Sequence, residues 1–203
     1  MARPDASAAR TRQILDAAAA VFARLGLHQA RIEDIAAEAG LSKGLVYRYF
    51  SSKDALVVAL VDGFYGEALA QLHAMDGGTE PIADQLAQFT DHTGTMIERI
   101  APLLPMTFEF YAAALRRPDV AHTLNQYYAE YRTVARALFQ RGIERGEFRG
   151  RSSDDAAEAL IALYEGTTVL WALDQAGTAW VARAQLALQL ILDGMRGGNP
   201  PTP

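Results

Sequence analysis

The spacing of the apolar residues narrows the fold more than any other feature. Ile14, Leu15, Ala18, Val21, Phe22 and Leu25 recur as they would on one face of an α-helix, and no segment sustains the every-second-residue alternation of a half-buried strand. A chain patterned in this way is all-α. Glycine and proline divide it. Gly26 ends the first helix, a short second helix over 32–39 is closed by Gly40, and Ser42 caps a third that reaches Phe50. Ser51 and Asp54 have capping-box spacing for a fourth helix that runs to Met75. Beyond the break MDGGTEP, helices are expected from Pro81 to short of Pro102, over 107–116, from Pro118 to Arg145, from a Ser152–Asp155 cap to Gln175, and from Thr178 to Met195. APLLP interrupts the chain because proline lacks the N–H that a helix interior needs. Residues 197–203 read as a disordered tail.

The two short helices joined by AGLS form a helix-turn-helix. Ile35, Ala36, Leu41, Val46 and Phe50 are placed to pack its small core, and Gly40 is placed to take a positive φ at the turn, which a Cβ resists. Lys43, Leu45, Tyr47, Arg48 and Tyr49 are left facing outward. A helix with that face suits a major groove about 12 Å wide. The charge agrees. The whole chain carries a net charge of -5, yet the residues up to Lys53 hold eight basic and five acidic side chains, and the remainder eleven and nineteen. The chain's two lysines, Lys43 and Lys53, both lie in this stretch. A basic head on an acidic body points to a polyanion met by the head alone.

The stretch IAAEAGLSKGLVYRYFSSKDAL resembles the DNA-binding signature of TetR-type transcriptional regulators, in which a pattern IA..AG.S.G..Y.YF..K..L follows an N-terminal helix. The resemblance is close over 11–60, and beyond it only the helical layout is similar. It implies a regulator that binds double-stranded operator DNA as a homodimer and, in a repressor, lets go when a small organic effector binds. It also implies roles at the matching positions. Tyr47, Tyr49 and Lys53 would hold phosphates, Lys43, Leu45 and Arg48 would face base edges, and Ser42 and Gly44 would bring the helix start close to the DNA backbone. The chemistry is consistent with these roles, since lysine is a point charge, tyrosine a hydroxyl donor, and arginine can grip guanine O6 and N7 together. Two positions depart from the family pattern. Ala30-Arg31 stand where a capping threonine or serine is usual, a loss of about 1 kcal/mol, with Arg31 offered as a phosphate ligand instead. Glu33 stands where a basic residue is frequent, and a carboxylate facing DNA would repel phosphate.

The rest of the chain is less specific. The aromatic-rich segment MTFEFYAAAL carries Glu109, which either points outward or is a buried carboxylate for a cationic or hydroxylated ligand. Met96, Phe110, Tyr127, Tyr131, Tyr164 and Trp171 are further candidates for a ligand pocket, although aromatics at helical spacing are more often core. The four histidines show no i, i+4 pair, so no metal site is expected, and no cofactor is called for. Leu190, Ile191 and Leu192 are consecutive, so one helical stripe cannot hide them all. A two-fold interface built from the last two helices answers that better than a central core helix, because paired DNA half-sites reward two-fold symmetry.

These readings give a helix-turn-helix DNA-binding domain over 1–53 and a ligand-binding and dimerisation domain over 54–196, with the helix from Ser52 acting as a lever between them. Two rival classes stay open. An enzyme on the helical body lacks any G-x-S-x-G, H-E-x-x-H, Walker A or G-x-G-x-x-G and any cysteine. An architectural DNA-binding dimer without effector differs only in having no ligand cavity. With no apolar run of about 18 residues and no signal-like N-terminus, the expected setting is the cytoplasm, away from membranes.

Overall fold

The structure, a computed structural model, describes residues 6–75, 77–149 and 152–197. Its helices are α1 (Ala6–Gln29), α2 (Ile32–Glu38), α3 (Lys43–Tyr49), α4 (Lys53–Ala74), α5 (Ile82–Ile100), α6 (Leu104–Ala114), α7 (Pro118–Glu144), α8 (Ser153–Leu173) and α9 (Trp180–Gly197), with a short 3-10 turn at Ala101–Leu103. The described residues contain no strand. The all-α expectation therefore holds, and the differences lie at helix ends. The start of α4 is capped by Ser52, whose Oγ accepts the Ala55 N–H at 3.1 Å, one residue later than the expected Ser51 cap. The helix after APLLP begins at Leu104 because Pro105 sits in its first turn, where a missing N–H is harmless. The last helix starts at Trp180, two residues beyond Thr178. Gly197 is the final residue of α9, and the rest of the expected tail lies outside the described residues.

By contact the chain divides into two compact units. The first comprises the residues up to Gly66 with Pro102–Leu124, and the second Glu67–Ala101 with the residues from Asn125 onward. The first takes in the region expected to read DNA. Here α1 packs on α2 and α6, and α2 on α3. Ile14, Ala18, Val21 and Phe22 of α1, Ile35 and Ala36 of α2 and Val46 of α3 are all buried and make up its water-excluding core. Helix α1 is broken at Gly26 (φ 74°), so residues 27–29 form a turn with a new direction.

In the second unit α9 packs on α8 and on α5. Trp180, Phe89, Phe139, Phe148, Leu86 and Leu160 are among its fully enclosed side chains. Gly94 allows α5 to approach α9 closely, since a Cβ there would lie 2.1 Å from Val181 Cγ2. The consecutive apolar residues near the end of α9 part company as the periodicity requires. Leu192 is 3% exposed in the core, whereas Leu190 is 70% exposed. Leu186 shares the outer face of α9, and Val169, Leu170 and Leu173 are exposed on α8. By length and composition alone, α4 and α8 are apolar enough to cross a membrane. Helix α4, however, buries Leu56, Val57, Leu60 and Val61 in the first unit and Leu69 and Leu72 in the second.

Candidate nucleic-acid interface

The helix-turn-helix is set by hydrogen bonds that its sequence makes locally. Ala39 closes α2, Gly40 takes φ +65°, and the Leu41 N–H returns to the Ala36 carbonyl at 2.8 Å. The Gly40 conformation is one that a Cβ would strain. From α1, Gln13 Nε2 donates to the Ala39 carbonyl at 2.7 Å and pins the turn. Ser42 then caps α3, its Oγ accepting the Leu45 N–H at 3.3 Å. Val46 and Phe50 enter the core and fix the rotation of α3.

That rotation puts Lys43, Gly44, Tyr47 and Arg48 on the solvent side, with Leu45 and Tyr49 half-buried beside them. Arg31 is exposed at the start of α2. The threonine or serine cap that resembling proteins carry there is indeed missing, because a guanidinium has no acceptor. Asp34 recovers half of a capping box by accepting the Arg31 N–H at 2.9 Å. Among the described residues, Arg31 and Arg48 have no ion pair or side-chain hydrogen bond, so both guanidinium groups are available to a ligand.

The two lysines are engaged. Lys43 Nζ lies 2.6 Å from Glu33 Oε1 and 5.8 Å from the centre of the Tyr47 ring. The hydrogen bond between them lowers the Glu33 pKa below the ordinary carboxylate value and raises that of Lys43. Lys53 Nζ donates to the carbonyls of Leu27 (2.6 Å) and Ala30 (3.1 Å), with His28 O at 3.5 Å. It thus closes the turn that Gly26 opens, where unpaired carbonyls attract a cation. A phosphate at Lys53 would have to compete with those carbonyls. The lysine's sequence position alone does not reveal this task, because its partners lie more than twenty residues away.

The residues considered for a ligand pocket are distributed over both units. Glu109 and Phe110 belong to the first, on α6. Phe110 is buried. Glu109 is half-buried, and its Oε2 faces His28 Nε2 at 3.6 Å. In the second unit Met96, Tyr131, Tyr164 and Trp171 are buried and Tyr127 half-buried. The Tyr127 and Tyr131 rings lie 5.8 Å apart, and the Tyr164 hydroxyl is 2.8 Å from Thr90 Oγ1. Burial raises the pKa of all three tyrosines above the ordinary phenol value, with the Glu165 carboxylate adding to the effect on Tyr127 and Tyr131. The Tyr131 hydroxyl and Thr93 Oγ1 are enclosed without a hydrogen-bond partner among the described residues. Trp180, which the sequence reading did not select, stacks on Tyr164 with ring centres 5.7 Å apart and donates to Thr168 Oγ1 at 3.0 Å. The threonine pair in FTDHT, on one face of α5, was the available signal for a polar patch in this core.

Comparison with known proteins agrees with this layout. Residues 14–60 match the family described as bacterial regulatory proteins, tetR family, and residues 103–195 match the C-terminal region of BetI-type transcriptional repressors. The HTH-type transcriptional regulator UidR of Escherichia coli K12 is 30% identical over 163 residues, which cover 77% of this chain and 75% of UidR. Two solved structures share the fold. A FadR regulator from Bacillus subtilis in complex with stearoyl-CoA has a TM-score of 0.71 at 22% identity, covering 91% of this chain and 99% of that one. A regulator from Saccharomonospora viridis in complex with choline has a TM-score of 0.74 at 21% identity, covering 92% and 96%.

Proposed function

The chain belongs to the TetR family of bacterial transcriptional regulators, and from that premise we propose that it is a cytoplasmic repressor, released from operator DNA by a small organic molecule. The observation that carries the reading is the solvent face of the helix-turn-helix. There Arg31, Arg48 and Tyr47 are exposed, the two arginines have no ion pair or side-chain hydrogen bond among the described residues, and Gly40 and Ser42 shape the backbone. In this proposal Arg48 and Leu45 address base edges. Arg31, Tyr47 and Tyr49 hold phosphates, and Ser42 and Gly44 let the start of α3 come close. Lys43 enters after leaving Glu33. Lys53 acts mainly by holding the end of α1, which positions the reading helix.

Residues 1–53 read DNA in this proposal, and residues 54–196 dimerise and hold the effector. The exposed apolar residues of α8 and α9 support a homodimer, since leucines as open as Leu173 at 81% exposure and Leu190 at 70% are best covered by a partner. The unpartnered Tyr131 hydroxyl and Thr93 Oγ1 support an effector that brings hydrogen-bonding groups into an otherwise apolar core. Relatives of the same fold carry ligands as unlike as stearoyl-CoA and choline, so the side chains set the ligand and the fold does not. No catalytic step is assigned to the body. An effector releases DNA only to the extent that it binds the non-DNA-binding state better.

The test is selection of a site from random duplex DNA by the full chain, followed by gel shifts on that site with a panel of acyl, quaternary-ammonium and aromatic compounds. Enrichment of a two-fold symmetric site, with loss of binding on addition of at least one compound, is expected. An enriched site that no compound weakens would favour the effector-free architectural reading, and a monomer by sedimentation at micromolar concentration would remove the dimer.

A further inference from the structure

Of the cations on the reading face, Lys43 alone is held by a carboxylate among the described residues. Glu33 stands in the first turn of α2 and Lys43 in the first turn of α3, so their 2.6 Å contact crosses the helix-turn-helix. Both side chains are more than half exposed, at 52% for Lys43 and 57% for Glu33. The ammonium also lies over the Tyr47 ring, one turn further along α3. Lys43 is thus tied to α2 by its ammonium while its side chain stays more than half exposed. The other acidic residue of that turn, Asp34, is occupied by the Arg31 N–H. Glu33 is therefore the carboxylate that faces the reading helix.

We propose that Glu33 is a charge mask that sets DNA affinity. It holds Lys43 in the free protein, so that Lys43 engages DNA only where the site offers a better partner than Glu33. The inference rests on the DNA-binding reading and goes beyond it. Its physics is competition. A free lysine at this position neutralises a phosphate on any sequence, and such contacts supply the sequence-independent part of binding. An exposed ion pair is weak and screened by salt, so a well-placed base acceptor or phosphate can displace Glu33, whereas a poorly placed one cannot. The mask therefore withholds Lys43 from arbitrary DNA and weakens binding to the correct site by the energy of the ion pair, so it lowers affinity for both. A structural role is the alternative, in which the pair staples α2 to α3. That role predicts loss of stability and equal loss of binding to all DNA.

The experiment uses the full chain and the site that the wild-type protein enriches from random duplexes, with a scrambled duplex of equal length beside it. Wild type, Glu33→Gln, Lys43→Gln and the double variant are titrated on both DNAs across a range of salt. Glu33→Gln should tighten binding to both DNAs severalfold at low salt, and to the selected site at least as much as to the scrambled one. It should also steepen the dependence of log K on log salt on scrambled DNA by up to about 0.9 per subunit. In the Lys43→Gln background the same change should have little effect, because there is no ammonium to release. Equal tightening in both backgrounds would overturn the proposal, showing that Glu33 repels phosphate directly. So would a drop in melting temperature with equal weakening on both DNAs, or no change on either. If no site is enriched at all, the DNA-binding reading fails and this inference with it. An enriched site with an ineffective Glu33→Gln removes the inference alone.

Discussion

The reading face of the helix-turn-helix and the tyrosine-rich core of the second unit handle polar groups in opposite ways. Around α3, Arg48 and Tyr47 point into solvent, and the ion pair that does form, Lys43 with Glu33, is exposed and easily exchanged. Between α5, α7 and α8, the phenols of Tyr131 and Tyr164 are enclosed, and Tyr164 is fastened between Thr90, Phe89 and Trp180. The first arrangement keeps its interaction energy available for a partner. The second has already committed most of its groups, except for a few enclosed hydroxyls such as that of Tyr131. The two arrangements call for different measurements when their residues are substituted.

The largest separation is expected from Trp180→Ala. It removes an enclosed indole that stacks on Tyr164 and donates to Thr168, and should lower unfolding stability by about 3–5 kcal/mol in a urea titration. Sequence preference of the protein that remains folded should not change. Arg48→Ala should do the reverse, leaving the urea midpoint in place and relaxing preference at particular half-site positions by about 1–3 kcal/mol per bidentate contact. If Arg48→Ala instead weakens selected and scrambled DNA equally, Arg48 is a phosphate clamp.

Lys53→Ala crosses the divide. Loss of its bonds to Leu27 O and Ala30 O should destabilise the first unit by about 1–2 kcal/mol, and DNA binding should weaken with it. A variant of unchanged stability with a shallower salt dependence would return Lys53 to the role of a direct phosphate ligand. Alkaline titration tests the other side. Burial holds Tyr127, Tyr131 and Tyr164 above the ordinary phenol value, so the unfolded chain ionises first. Stability should be intact below pH about 10 and fall as pH rises above it, by up to about 1.4 kcal/mol per pH unit for each tyrosine. Tyrosinate absorbance from these residues should appear together with loss of helical circular dichroism. The smallest effect is expected from Ser42→Ala, which removes the α3 cap at about 1 kcal/mol and should lower binding to all DNA only slightly.

Much of the head was legible because its determinants are local. The turn at Gly40, the cap at Ser42 and the inward positions of Val46 and Phe50 depend on neighbours within one or two helical turns. The consecutive Leu190, Ile191 and Leu192 likewise announced that one of them must face outward, and Leu190 does. What could not be read was the choice of partner for long side chains. Lys53 and Lys43 look alike in sequence, yet one is held by carbonyls and the other by a carboxylate. Among the pocket candidates, residue type showed which were apolar enough to be buried but not which helices they would meet. Trp180 passed unnoticed because a tryptophan beside a Gly-Thr break looks like an ordinary helix start.

The sequence by itself determined that this chain is helical, where the helices break, and which short helix carries a basic and aromatic outer face. Those properties follow from backbone propensity and from spacing of three to four residues, which act before any distant segment arrives. Tertiary structure alone decided the pairings that join distant positions: Lys53 with Leu27, 26 residues away, Thr90 with Tyr164, 74 away, and Glu33 with Lys43 across a turn. An ammonium or a hydroxyl has many chemically equivalent partners along a chain, and only packing of the apolar faces brings one of them within hydrogen-bond reach.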